Sequence, residues 1–78
     1  MTDEQRKLVE DNIELAYHFV YTYCNNYDIE FDDKIQLASF ALCKAAISFD
    51  DHEGISFSTY AYKVMLNEFF TYILKLLK

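Results

Sequence analysis

The sequence predicts an all-α fold: one small three-helix domain over residues 1–78, with a long last helix. Three observations point there. The chain has 78 residues with 1 glycine and no proline, and so few breakers favour long helices over a hairpin-rich β fold. Apolar residues recur at spacings of three and four, which marks one face of a helix. Hydrophobic residues make up 53% and aromatics 18%, too apolar for a disordered chain. A domain this short buries a modest fraction of its surface, and rings that each bury roughly 150–250 Å² help offset that.

The first helix is expected from about Asp3 to about Cys24. Thr2 and Gln5 stand at capping-box spacing, so each side chain can satisfy the other's backbone amide. Leu8, Val9, Ile13, Ala16, Phe19, Val20 and Tyr23 form its buried stripe, and the charged residues fall mostly between them. Asn25-Asn26-Tyr27-Asp28 reads as a turn, because Asn tolerates left-handed backbone angles and can end a helix. The second helix is expected to begin near Asp32 or Asp33, where a carboxylate caps free amides and complements the helix dipole. Phe31 before that cap is placed to staple onto the first turn. Ile35, Ala38, Leu42, Ala45 and Ala46 make its inner face, and the small residues admit a close neighbour.

Asp50-Asp51-His52-Glu53-Gly54 is the strongly polar loop, and Gly54 is expected at a positive φ. The last helix starts at Ser56 or Ser58 and runs nearly to the end. Its inner stripe is Tyr60 or Ala61, Val64, Met65, Glu68 or Phe69, and Ile73. Phe70, Tyr72, Leu74, Leu76 and Leu77 exceed what three helices can bury, which calls for a covering partner.

Charge and motif content exclude several functions. With 13 acidic and 7 basic residues the net charge is -6, so the chain by itself is a poor duplex-DNA binder and suits a basic protein partner. His18, Cys24, Cys43 and His52 lack metal-site spacing and read as surface histidines and buried thiols, and the 50–54 loop lacks the ligand pattern of a calcium loop. No nucleophile motif, P-loop or dinucleotide fingerprint is present, so neither an enzyme nor a cofactor is expected. No apolar run reaches the roughly 20 residues of a bilayer span. The acidic start Met1-Thr2-Asp3-Glu4 is no secretory segment, and a cytoplasmic chain with reduced thiols is expected.

What remains is the group Phe57, Ser58, Thr59, Tyr60 and Tyr62 at the start of the last helix. Rings beside hydroxyls can stack on unpaired bases and bond their edges. The alternative is that Phe57 and Tyr60 are core and Ser58 is an N-cap.

From about Leu8 to about Tyr72 the chain resembles region 2 of the bacterial RNA polymerase sigma factors. Four pieces carry the resemblance: Leu8 to Ala16 with Asn12, Ile29 to Gln36, Leu42-Cys43-Lys44-Ala45 with Phe49-Asp50, and Gly54 to Ala61. Their order and spacing are more specific than any piece. The resemblance implies that the second helix docks on the clamp helices, the coiled coil of the largest polymerase subunit, through Asp33, Gln36, Leu37 and Ser39. The family often has Glu and Asn where Leu37 and Ser39 stand. It also implies that Phe49, Phe57, Ser58, Thr59 and Tyr60, with Tyr62 and Lys63 beside them, meet single-stranded promoter DNA of the minus-ten element within the complex. Tyr60 would stack on the key flipped adenine.

Departures follow. Lys63-Val64 stand where housekeeping members have paired tryptophans, and Leu66 where they have an arginine. Residues 63–70 are more similar to alternative sigma factors, including sporulation types, yet Thr71-Tyr72-Ile73-Leu74 is apolar where those are basic. Fewer arginines mean fewer phosphate contacts. Nothing in the 78 residues encodes the family's helix-turn-helix domain, which a second protein would then supply. Two readings result: a sigma-like domain that docks on polymerase and contacts the melted strand, or a degenerate sigma-like module without DNA recognition, acting as a polymerase-binding regulator or as a homodimer through its last helix.

Overall fold

A computed structural model describes residues 1–25, 27–50 and 54–77. The described residues form four helices and no strand: α1 (Asp3–Asp11), α2 (Ile13–Tyr23), α3 (Phe31–Ser48) and α4 (Phe57–Leu76). The all-α class is as predicted, but the first predicted helix is divided at Asn12. The cause is local. Asn12 Nδ2 donates to the Leu8 carbonyl at 2.8 Å, the acceptor that its own amide would use in a continuous helix. That amide turns to the Val9 carbonyl at 3.1 Å instead, and Asn12 leaves helical geometry at φ -122, ψ 17.

The other boundaries follow from caps. The Thr2–Gln5 capping box forms: the Gln5 amide donates to Thr2 Oγ1 at 3.2 Å, and the Thr2 amide to Gln5 Oε1 at 2.9 Å. Helix α2 ends without a left-handed residue, since among the described residues only Gly54 has a positive φ. Asn25 therefore does not play the left-handed role expected of it, and Asn26 lies outside the described residues. Helix α3 is capped by Glu30, with no side-chain bond, rather than by Asp32 or Asp33. Those two carboxylates sit in the first turn, where they complement the dipole. Phe31 is thereby inside the helix; it pairs with the Tyr21 ring and is no staple. Helix α4 is capped by Ser56, whose hydroxyl accepts from the Thr59 amide at 3.3 Å.

The core lies where α2, α3 and α4 meet. Phe19, Val20, Leu42, Met65 and Phe69 are buried with Cys24, and Ala16, Ala38, Ala41, Ala45, Ala46 and Ala61 let the helix backbones approach. Helix α1 buries no residue completely; its Leu8 and Val9 pack on the margin. Ala61 and Phe69 are the buried members of the predicted α4 alternatives. Glu68 instead reaches Lys44 on α3 at 2.5 Å, an ion pair open to solvent and of small worth. Of the predicted α1–α2 stripe, Ile13 and Tyr23 remain largely exposed.

Cys24 is buried, which pushes its thiol up to about 11, with Lys34 pulling the other way. His18 is exposed and Cys43 half-buried; His52 and the 51–53 part of the polar loop lie outside the described residues. Gly54 adopts φ 77 and a Cβ there would meet no atom within 4 Å. Gly54→Ala thus isolates backbone strain from crowding. It is expected to cost about 1–2 kcal/mol in chemical denaturation. No loss would show that the loop relaxes out of the left-handed region.

Candidate functional site

Two surfaces emerge. The first runs along α3. Helical residues advance roughly 100° each, so Leu37 and Ser39 sit on opposite flanks of the helix. Leu37 packs on the core and Ser39 is half-buried, whereas Asp33 and Gln36 are exposed. The four predicted docking residues therefore do not share one open face. What completes the face of Asp33 and Gln36 is Phe40, 60% exposed, and Ile47, 58% exposed, four and eleven residues beyond Gln36. Sequence reading missed both. The available signal was their seven-residue spacing, off the buried stripe of Ala38, Leu42, Ala45 and Ala46.

The second surface surrounds the start of α4, and it divides the predicted base-contact residues into two groups. Phe49, Phe57 and Tyr60 form a corner between α3 and α4. The Phe49 ring lies 5.3 Å from Phe57, edge to face, and 5.7 Å from Tyr60. Phe57 is buried, so it supports the other two rings from behind. Tyr60 is half-buried, and its hydroxyl is 2.7 Å from Ser48 Oγ, which itself donates to the Lys44 carbonyl at 2.9 Å. That chain fixes the direction of the Tyr60 ring.

Ser58, Thr59, Tyr62 and Lys63 lie elsewhere, along a groove between α2 and α4 that Leu15, His18, Tyr23 and Leu66 also line. Tyr62 is packed by rings from α2: His18 at 5.8 Å, Phe19 at 5.9 Å and Tyr23 at 5.8 Å. Its hydroxyl bonds His18 Nδ1. Burial, and then the neighbouring Tyr23, push the Tyr62 hydroxyl above the usual tyrosine range, against a lowering bond from Thr22. His18 and Tyr23 were not predicted for this groove; only the fold brings α2 beside α4 here. At the helix start Ser56 Oγ gathers Ser58 Oγ at 3.2 Å and Thr59 Oγ1 at 2.9 Å. The cap is thus Ser56, and Ser58 stays exposed.

Neither surface has the makings of a metal centre: among the described residues no three His, Cys, Asp or Glu side chains converge. Nor is any helix of the described residues long and apolar enough to cross a membrane.

The chain matches the family model described as Sigma-70 region 2 over residues 8–76. It is 39% identical over 57 residues to the RNA polymerase sigma factor SigA of Microcystis aeruginosa, which covers 73% of this chain and 14% of that protein. It is 40% identical over 55 residues to SigA of a Nostoc species, covering 70% of this chain and 14% of that one. The SigA of a Synechocystis species gives 40% over 55 residues, again 70% of this chain, and 13% of that protein. The chain thus spans only about one seventh of the length of these curated relatives, 13–14%. No solved structure matches significantly.

Proposed function

The chain belongs to the sigma-70 region 2 family, and we propose that it serves transcription initiation by docking on the clamp helices of RNA polymerase and holding melted promoter DNA. One observation carries the docking half. Asp33, Gln36, Phe40 and Ile47 line one open face of α3 that no part of the described fold covers. Exposed Phe and Ile in a row with a carboxylate at one end suit a helical partner with an apolar seam and a basic end.

The DNA half rests on the fixed corner of Phe49 and Tyr60. Tyr60 is the stacking ring, Phe49 its neighbour and Phe57 their support. Ser58, Thr59, Tyr62 and Lys63 form the adjoining groove for the strand. With a net charge of -6 the chain has little non-specific affinity for DNA, so the strand is held only within the polymerase complex. Tyr60→Ala is expected to weaken binding of single-stranded minus-ten DNA to that complex by about 1–3 kcal/mol, with docking unchanged. Fluorescence anisotropy of the labelled strand checks this. Equal loss of docking would make Tyr60 a structural residue.

A second reading is favoured by the far end of α4, where Phe70, Leu74, Leu76 and Leu77 are exposed. There a second copy of the chain covers the helix. The homodimer form predicts a concentration-dependent mass in sedimentation that Leu77→Glu reduces to that of the monomer. An unchanged mass for a soluble variant removes the homodimer through this helix.

A further inference from the structure

A third surface belongs to neither half of that function. Tyr17 and Tyr21 stand one turn apart on α2, 45% and 64% exposed, and Phe31 at the start of α3 is 45% exposed. The Tyr21 and Phe31 rings touch across the two helices, with centroids 5.9 Å apart at 41°. The patch is separate from the groove beside α4. Tyr23 faces Tyr62 there, and Tyr21, two residues earlier, points roughly 200° away around α2. Monomeric domains rarely expose adjacent large rings without a use, and aromatics are enriched at the centres of interfaces.

The charge around the patch says what it fits. From Glu10 to Asp33 the sequence holds seven of the chain's 13 acidic residues and none of its 7 Lys and Arg. Glu14 lies one turn before Tyr17 on the same side of α2, and Asp28, Glu30 and Asp32 flank Phe31 in the chain; all four are exposed. Lys34 follows this stretch but is half-buried beside Cys24. A nucleic acid would meet carboxylates on both sides of these rings. A basic peptide would meet charge at the rim and ring faces at the centre, the arrangement that attracts guanidinium and ammonium groups.

We propose that Tyr17, Tyr21 and Phe31 form a second protein-docking site, which takes an arginine- or lysine-bearing segment of a partner by cation–π contact inside an acidic rim. The site is independent of the polymerase face on α3 and of the corner at Tyr60.

The test titrates the full chain with an alanine-based helical peptide carrying arginines along one face, followed by NMR. The same peptide with glutamates in place of arginines is the control, and a single-stranded oligonucleotide is a second probe. The arginine peptide is expected to shift the ring protons of Tyr17, Tyr21 and Phe31, and the glutamate peptide to leave them in place. Tyr21→Leu keeps an apolar side chain and removes the ring. It is expected to raise the Kd roughly two- to fivefold with the far-UV circular dichroism unchanged. Tyr21→Ala should do the same. Shifts spread over all acidic residues, with both Tyr21 variants binding as wild type, would reduce the effect to unspecific charge and overturn the site. Ring shifts on dilution of the chain alone would assign the patch to a second copy. Ring shifts with the oligonucleotide would assign it to nucleic acid. Either would overturn the proposal without touching docking at α3.

Discussion

Phe69→Ala is expected to remove a large share of the stability of this domain. Phe69 is 1% exposed, and its ring meets Phe19 edge to face at 6.0 Å and Tyr27 at 5.0 Å. It joins α4 to α2 and to the connection after α2. Emptying such a site costs about 3–5 kcal/mol. At roughly 0.05–0.15 kcal/mol per residue, a domain of this size has only about 4–12 kcal/mol in all. The neighbouring Phe70 is the control: it is exposed, so Phe70→Ala should stay within about 0.5 kcal/mol. Denaturant unfolding followed by far-UV circular dichroism separates the two. Similar losses for both would mean that the end of α4 is packed otherwise.

Phe40→Asp should do the reverse, sparing the fold and disabling docking. Its side chain lies mostly in solvent, so the unfolding midpoint should barely move. At the centre of the α3 face it takes the position of an interface anchor. Its loss should cost at least about 2 kcal/mol, roughly thirtyfold in affinity for core polymerase. Leu37→Ala makes the contrast, because Leu37 packs on the core and its truncation should lower stability as well. The double variant of Asp33→Ala with Gln36→Ala should weaken docking less than Phe40→Asp does. Its two side chains are exposed and polar, and rim charges act more on encounter than on affinity.

What the sequence disclosed, and what it withheld, follows from the range of each interaction. The Thr2–Gln5 box and the positive φ of Gly54 depend on neighbours within a few residues, and both were legible. The start of α4 was legible only as Ser56 or Ser58, and the cap falls to Ser56 rather than to Ser58. So was the all-α class, which rests on apolar period. The break at Asn12 was not, because the helical period runs through it. It takes one side-chain amide bonding its own preceding turn to divide the helix. Helix α3 begins before the carboxylates expected to cap it, because Glu30 enters by backbone geometry alone. The candidate surfaces were legible in composition and not in assembly. The resemblance named Leu37 and Ser39 beside Asp33 and Gln36; helix geometry puts those two on opposite flanks, half-buried, and leaves Phe40 and Ile47 exposed between them. The residues expected to contact bases are near neighbours in sequence, yet Tyr60 turns to α3 and Tyr62 to α2. Contacts across helices, such as His18 with Tyr62, have no local signature to read.

The measurement that goes to the centre of this account is calorimetric titration of the 78-residue chain into the isolated clamp coiled coil, at low and at moderate salt. Docking through the α3 face predicts binding at both, weaker at moderate salt because Asp33 contributes, and lost for Phe40→Asp. No binding at low salt, or binding that Phe40→Asp leaves unchanged, would contradict it.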